Sequence, residues 1–177
     1  MNKNFLILIR IKITLLVALS AFAGGYIFSS TLSPRLFSGV LIAVLLSAGC
    51  SALNQFQERR LDALMERTKS RPLPSGEMRG SEALVIAFFM IATAFFLIIR
   101  MESKALLASG VCAVVLYNFI YTPLKKRTAL ALLIGSVSGA LPPFIGFVAA
   151  GGSPFDIRIL VVSCILYMWQ IPHFAML

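Results

Sequence analysis

Apolar residues fill this chain in long runs, and polar residues are confined to short stations between them. Six runs stand out, at residues 13–30, 36–53, 83–99, 105–121, 129–150 and 159–177. Each is close to the ~20 residues that a helix needs to cross a hydrocarbon core. In lipid such segments are expected to be helical, because backbone polar groups there must be satisfied within the segment. The predicted fold is all-α, a polytopic transmembrane helical bundle with about six spans. Small residues recur inside the runs, as in Ala21-Phe22-Ala23-Gly24-Gly25 and Gly135-Ser136-Val137-Ser138-Gly139-Ala140. They let neighbouring helices approach closely. Further on, Gly139-Ala140-Leu141-Pro142-Pro143-Phe144-Ile145-Gly146 predicts a kink at the double proline that shapes a cavity. No internal repeat stands out.

Composition agrees with the pattern. Of 177 residues, 59% are hydrophobic and 13% charged, where a soluble domain carries about 25% charged residues. The net charge of +9 raises the question of nucleic acid. That reading is set aside, because the basic residues sit in short loops between apolar runs and form no soluble face. Counting Lys and Arg over alternating spans gives an orientation. The N-terminal segment, residues 54–82 and Lys125-Lys126-Arg127 together hold twelve, against four (Arg35, Arg100, Lys104 and Arg158) on the other side. The N-terminus and the motif loops are therefore expected in the cytoplasm of a bacterial-type membrane. A rival reading of the first residues is a signal peptide, with Lys3, Arg10 and Lys12 ahead of an apolar run ending Ala21-Phe22-Ala23. Five more runs follow it, which favours a span. Cys50, Cys112 and Cys164 are odd in number, lie inside apolar runs and lack CxxC spacing, so they read as small buried hydrophobes.

Three polar stations fall on the same predicted side. The first holds five of the seven acidic residues between positions 54 and 82. Asn54, Glu58 and Asp62 are spaced four apart, a stripe that drifts about 40° per step on a helix and stays on one face. Two carboxylates and an amide oxygen are hard ligands suited to Mg²⁺, which takes one or two carboxylates and leaves its other positions to water and substrate phosphate. Arg67, Lys69 and Arg71 follow within reach of a diphosphate. The competing reading is a solvated helix, with Glu58, Asp62 and Glu66 paired to Arg59, Arg60 and Arg67. The second station runs from Tyr117 through Tyr121, Pro123 and Lys125 to Thr128. There Pro123 is expected to end a helix ahead of three cations, and interfacial anchoring is the competing reading. The third, Trp169-Gln170-Ile171-Pro172-His173-Phe174, holds the single Trp and the single His. An intramembrane His is a functional candidate by default, with a hydrogen-bonded packing role as the alternative.

These residues together resemble a known family. The run from Asn54 to Gly76, then Tyr121-Thr122-Pro123-Leu124-Lys125-Lys126-Arg127-Thr128, Gly139-Ala140-Leu141-Pro142-Pro143 and Trp169-Gln170-Ile171-Pro172-His173-Phe174, look in that order like motifs of the protoheme IX farnesyltransferases (heme O synthases), within the intramembrane aromatic prenyltransferase superfamily. Glu58 stands where the superfamily tends to carry Asp, which with the Arg-Thr-x-x-Arg-Pro-Leu extension is similar to the heme branch. The resemblance implies an enzyme that transfers a farnesyl group from farnesyl diphosphate to a vinyl group of heme B. It implies Mg²⁺ held by Asn54, Glu58 and Asp62, diphosphate contacts from Arg67, Lys69, Arg71, Tyr121 and Lys125, and His173 at the heme.

The family has about nine spans and a second acidic motif soon after the Trp-Gln-Ile-Pro-His-Phe run, and this chain stops at Leu177. The expectation is a single membrane-embedded prenyltransferase domain over 1–177, C-terminally incomplete, with 54–82 as its cytoplasmic motif loop and the metal site half built. Expected partners are farnesyl diphosphate, heme B and the bilayer, with a homo-oligomer left open and no nucleic acid. Two other readings stand beside this one: a prenyltransferase for a quinone precursor, and a non-catalytic membrane protein that binds heme or prenyl diphosphate.

Overall fold

The structure is a computed structural model that describes residues 3–175, with side chains through Pro172. A short helix α1 (Lys3–Leu8) precedes α2 (Ile11–Ser29), α3 (Pro34–Asp62) and α4 (Gly80–Arg100). Then come α5 (Lys104–Val114), a π-helical segment (Val115–Tyr121), the single turn α6 (Thr122–Leu124), α7 (Ala131–Ala149) and α8 (Ile157–Ala175). Among the described residues, five spans are long and apolar enough to cross a membrane, with α5 to α6 acting as one, and α8 is a shorter apolar helix over Ile157–Pro172. The predicted all-α bundle is what is found.

Local chemistry sets the helix starts. Ser33 accepts from Leu36 N at 3.2 Å ahead of Pro34, and Ser103 accepts from Leu106 N at 3.3 Å. Both are N-caps that satisfy a donor the first turn leaves unpaired. The turns at this end gather: Arg35, Ser103, Gly151, Gly152 and Pro154 line one cavity of about 180 Å³. Asp156 sits just ahead of α8. It pairs with the Arg158 guanidinium at 2.8 Å, and this partner holds its carboxyl below the usual range.

Side-by-side packing relies on small residues. A Cβ on Gly24 of α2 would run into the Pro143 carbonyl of α7, and one on Gly146 would run into the Ala21 carbonyl. The helix backbones therefore touch directly, which only glycine allows. The double proline does not break α7, which stays helical from Ala131 to Ala149 with Pro142 and Pro143 buried. It shapes this seam. The buried core, including Ile42, Leu46, Ile98, Leu106, Ile145 and Val148, lies between α3, α4, α5 and α7. Large apolar side chains such as Leu16, Leu19, Phe88 and Phe96 point outward, as a lipid-facing surface requires.

Helix α3 is the long member. Its 29 residues span about 43 Å at 1.5 Å each, against a hydrocarbon core of about 30 Å. Its last turns carry Asn54, Glu58 and Asp62. The expected motif loop 54–82 is thus split between the end of α3, a folded strap over 63–79 and the start of α4. Thr68, Pro72 and Leu73 anchor the strap by burial.

The α2–α7 seam yields a prediction. Replacing Gly146 by Val forces two backbones apart and should cost at least ~1–3 kcal/mol, read as early thermal unfolding in detergent. Gly110→Ala should be milder, because the nearest atom is the flexible Cδ1 of Ile98 at 2.8 Å. Equal losses from the two changes would refute this packing.

Candidate active site

The stripe on α3 faces inward. Asn54, Glu58 and Asp62 are 0%, 8% and 5% exposed. A carboxylate is rarely buried without a partner, and each has one brought from elsewhere. Lys125 Nζ lies 2.7 Å from Glu58 Oε2, and Arg71 Nη1 lies 2.7 Å from Asp62 Oδ2. Helical pairing with Arg59 and Arg60 is not what forms. Arg59 stacks its guanidinium 4.0 Å from the Phe56 ring centre and donates to the Phe56 carbonyl, while Arg60 is exposed.

The strap delivers Arg71. The buried Thr68 hydroxyl donates to the Asp62 carbonyl at 2.9 Å, beside a longer bond from Met65 N at 3.4 Å. This bond ties the strap to the helix beside the carboxylate it serves.

The π segment delivers Lys125. Pro123 sits in the middle of the single turn α6, and the helix ends one residue past it at Leu124. The register widens before it. Thr122 N bonds to Tyr117 O, five residues back. In that register Pro123 has no N–H for the Asn118 carbonyl, and the Gln57 amide donates to it at 3.2 Å. The Asn118 side chain in turn donates to the Cys50 carbonyl at 3.0 Å. The π segment is thereby pinned to α3 at two levels. Tyr117 and Tyr121 stack at 5.7 Å between ring centres, and Lys125 Nζ sits 5.1 Å from the Tyr121 ring centre. Gly135 on α7 makes room for that ring, whose nearest atom is 2.8 Å from where a Cβ would stand.

Asn54 is the hub. Its Nδ2 donates to Glu58 Oε2 at 3.2 Å and to Thr122 Oγ1 at 2.9 Å. Its Oδ1 accepts from Arg10 Nη2 at 3.0 Å. Arg10 Nη1 also reaches the Tyr117 hydroxyl at 3.2 Å.

Of the residues expected at the site, the structure brings together Asn54, Glu58, Asp62, Arg71, Tyr121 and Lys125. Arg67 and Lys69 lie exposed on the strap, with Lys69 paired to Glu66 at 2.6 Å. The His173 side chain falls outside the described residues. Sequence reasoning missed Arg10, Tyr117, Asn118 and Thr122. Asn118, Thr122 and Lys125 follow helical spacing and shared a face in plain view. Arg10 gave no local signal beyond its charge.

The donor set suits a hard cation. Glu58 and Asp62 each use one oxygen for their cation, and Glu58 Oε1 and Asp62 Oδ1 take no hydrogen bond among the described residues. The described residues hold no group of three or more His, Cys, Asp or Glu, so a closed zinc cage is not what they build. Two carboxylates with open positions fit Mg²⁺ carrying substrate phosphate. The Asn54 oxygen accepts from Arg10 and keeps a second lone pair for a metal.

Residues 13–177 match the UbiA prenyltransferase family. The chain is similar to the protoheme IX farnesyltransferase of Geobacter sulfurreducens, with 42% identity over 98% of this chain and 64% of the relative. It is also similar to that of Nitratidesulfovibrio vulgaris, with 37% identity over 94% of this chain and 58% of the relative. It therefore spans about three-fifths of the length of these curated relatives. Among solved structures it resembles one described for digeranylgeranylglyceryl phosphate synthase, with TM-score 0.83 and 18% identity over 96% of this chain and 59% of that one. It also resembles a UbiA homolog from Archaeoglobus fulgidus bound to DMAPP and Mg²⁺, with TM-score 0.74 and 18% identity over 97% of this chain and 62% of that one.

The hub makes its own prediction. Thr122→Val leaves a buried Asn54 donor unpaired and should destabilise by ~1–3 kcal/mol, measured by thermal unfolding in detergent. Thr122→Ser keeps the acceptor and should stay near the native value. Equal stability for Val and Ser would remove Thr122 from the hub.

Proposed function

The chain belongs to the UbiA prenyltransferase family, and we propose that it is the N-terminal part of an enzyme that transfers a farnesyl group from farnesyl diphosphate to a vinyl group of heme B, making heme O. One observation carries the reading. Two buried carboxylates on one helix face, each held by a single cation from another element, sit at one end of an apolar bundle. The acceptor and the prenyl length are taken from the names of the curated relatives.

The proposed chemistry follows from the residues. Glu58 and Asp62 would hold Mg²⁺, with Asn54 beside them. The metal, when bound, supplies charge neutralisation for the departing diphosphate. Arg71 and Lys125 would turn from the carboxylates to the diphosphate oxygens as substrate arrives. Tyr121 lies next to Lys125 and would donate its hydroxyl to the same anion. Arg67 and Lys69, exposed at the rim, would meet the diphosphate on entry. The C1–O bond of farnesyl diphosphate breaks with its electron pair leaving on diphosphate. The vinyl carbon then forms the new C–C bond, and water adds to the resulting cation and releases a proton, giving the hydroxyethylfarnesyl chain. The apolar bundle would shelter the cation and hold the tail, and His173 would contact the heme.

Orientation belongs to the same proposal. With twelve Lys and Arg at the site end and four at the other, the site would face the cytoplasm.

The test uses the full-length protein in membranes. Asp62→Asn should abolish Mg²⁺-dependent heme O formation while the protein still folds and inserts. Near-normal heme O production would sink the metal-ligand assignment. Turnover of a quinone precursor in place of heme B would overturn the acceptor and leave the diphosphate chemistry standing.

A further inference from the structure

The joint between α1 and α2 is held more firmly than a connection between two helices needs. Leu8 is fully buried and Ile9 nearly so. The Gln55 amide donates to both Ile7 O and Leu8 O, at 2.9 and 2.7 Å, and Ile7 O also accepts from Arg10 N at 3.1 Å. The Thr14 hydroxyl donates to Ile9 O at 2.7 Å. At the centre of these bonds Arg10 adopts φ 50 and ψ 58, a left-handed conformation that a residue with a Cβ rarely takes. Such conformations persist where the surroundings over-determine them, and they cluster at functional sites. The result is that the Arg10 guanidinium is delivered to the Asn54 amide oxygen.

That contact decides which way the amide points. An amide has one acceptor end and one donor end. Arg10 offers only donors and the Glu58 carboxylate only acceptors, so a reversed Asn54 would set donor against donor on one side and oxygen against carboxylate on the other. With Arg10 in place, Asn54 Nδ2 must face Glu58 Oε2. Lys125 binds the same oxygen. Two donors thus converge on Oε2 and leave Oε1 open.

We infer that Arg10 is a positioning residue for the divalent-metal site, acting through the Asn54 amide to fix which oxygen of Glu58 is presented to the metal. The inference rests on the reading of Glu58 and Asp62 as metal ligands. Partners of this kind behind a ligand typically change metal affinity 10- to 100-fold when lost.

Mn²⁺ with inorganic pyrophosphate is the probe, and bound Mn²⁺ is read by electron paramagnetic resonance on the full-length protein in detergent. Arg10→Gln should weaken Mn²⁺ roughly 10- to 100-fold, and Arg10→Lys, which keeps one donor, should recover part of that. In an Asn54→Ala background Arg10→Gln should do nothing further, within about twofold. The inference is overturned if Arg10→Gln weakens Mn²⁺ equally in both backgrounds, or if its whole effect disappears when pyrophosphate is omitted, which would mark a direct contact with the anion. If Arg10→Gln does not fold, Arg10→Lys carries the same two-background comparison. Failure of the underlying reading looks different: Mn²⁺ binding that is absent from the native protein, or indifferent to Glu58→Gln, removes the metal site and the inference with it.

Discussion

Everything at the site end of this bundle depends on neutralising two carboxylates at the edge of an apolar interior. An unpaired charge there costs several kcal/mol, and removing one partner of a buried pair costs about 3–5 kcal/mol. Glu58 and Asp62 are therefore not free to sit on α3 alone. Their need for Lys125 and Arg71 fixes where the strap after α3 must fold and where the span from α5 to α6 must end. The bond from Thr68 to the Asp62 carbonyl and the π register before Pro123 are the local means to those ends.

The widened register shows how one covalent fact spreads. Proline lacks an N–H, so a carbonyl behind it must find another donor. Gln57 supplies that donor from α3, and the bond draws the π segment against the helix that carries the acids. Tyr117, Thr122 and Lys125 then meet Arg10, Asn54 and Glu58. π-helical segments are often found at functional sites. Here the reason is visible: the register change turns the polar side chains of one span toward those of others, with Tyr117 and Thr122 accepting and Lys125 donating.

The spans were legible in the sequence because each is a continuous apolar run, and the stripe on α3 was legible because four-residue spacing is local. Partner choice was not. Pairing of Glu58 and Asp62 with Arg59 and Arg60 was a fair local expectation, but adjacent helix positions are about 100° apart, and the inward face excludes them. Beyond Glu58, the partners of Asn54 lie 44 and 68 positions away. Arg10 was the hardest to find, since a lone arginine before an apolar run looks like an anchor for orientation. Nothing local marks the left-handed turn that aims it inward, because glycine does not occupy it.

The charges of the hub also explain why the arrangement suits exchange. Arg71 and Lys125 pair with Asp62 and Glu58, and Arg10 joins them through Asn54, which makes three cations against two carboxylates. The surplus is positive, so the site attracts an anion before any metal is considered. On the proposed reading, a prenyl diphosphate that has taken up Mg²⁺ would still carry residual negative charge, and it would bring to the carboxylates the cation they lose by releasing Lys125 and Arg71. Each pair broken is replaced by a pair of the same kind: carboxylate with metal, ammonium or guanidinium with phosphate. Desolvation was already met when the protein folded, so little of it recurs on binding. Groups that hold one another in this way would be kept in place for the substrate the proposal assigns, which is what preorganisation means for a charged site in a low-dielectric bundle.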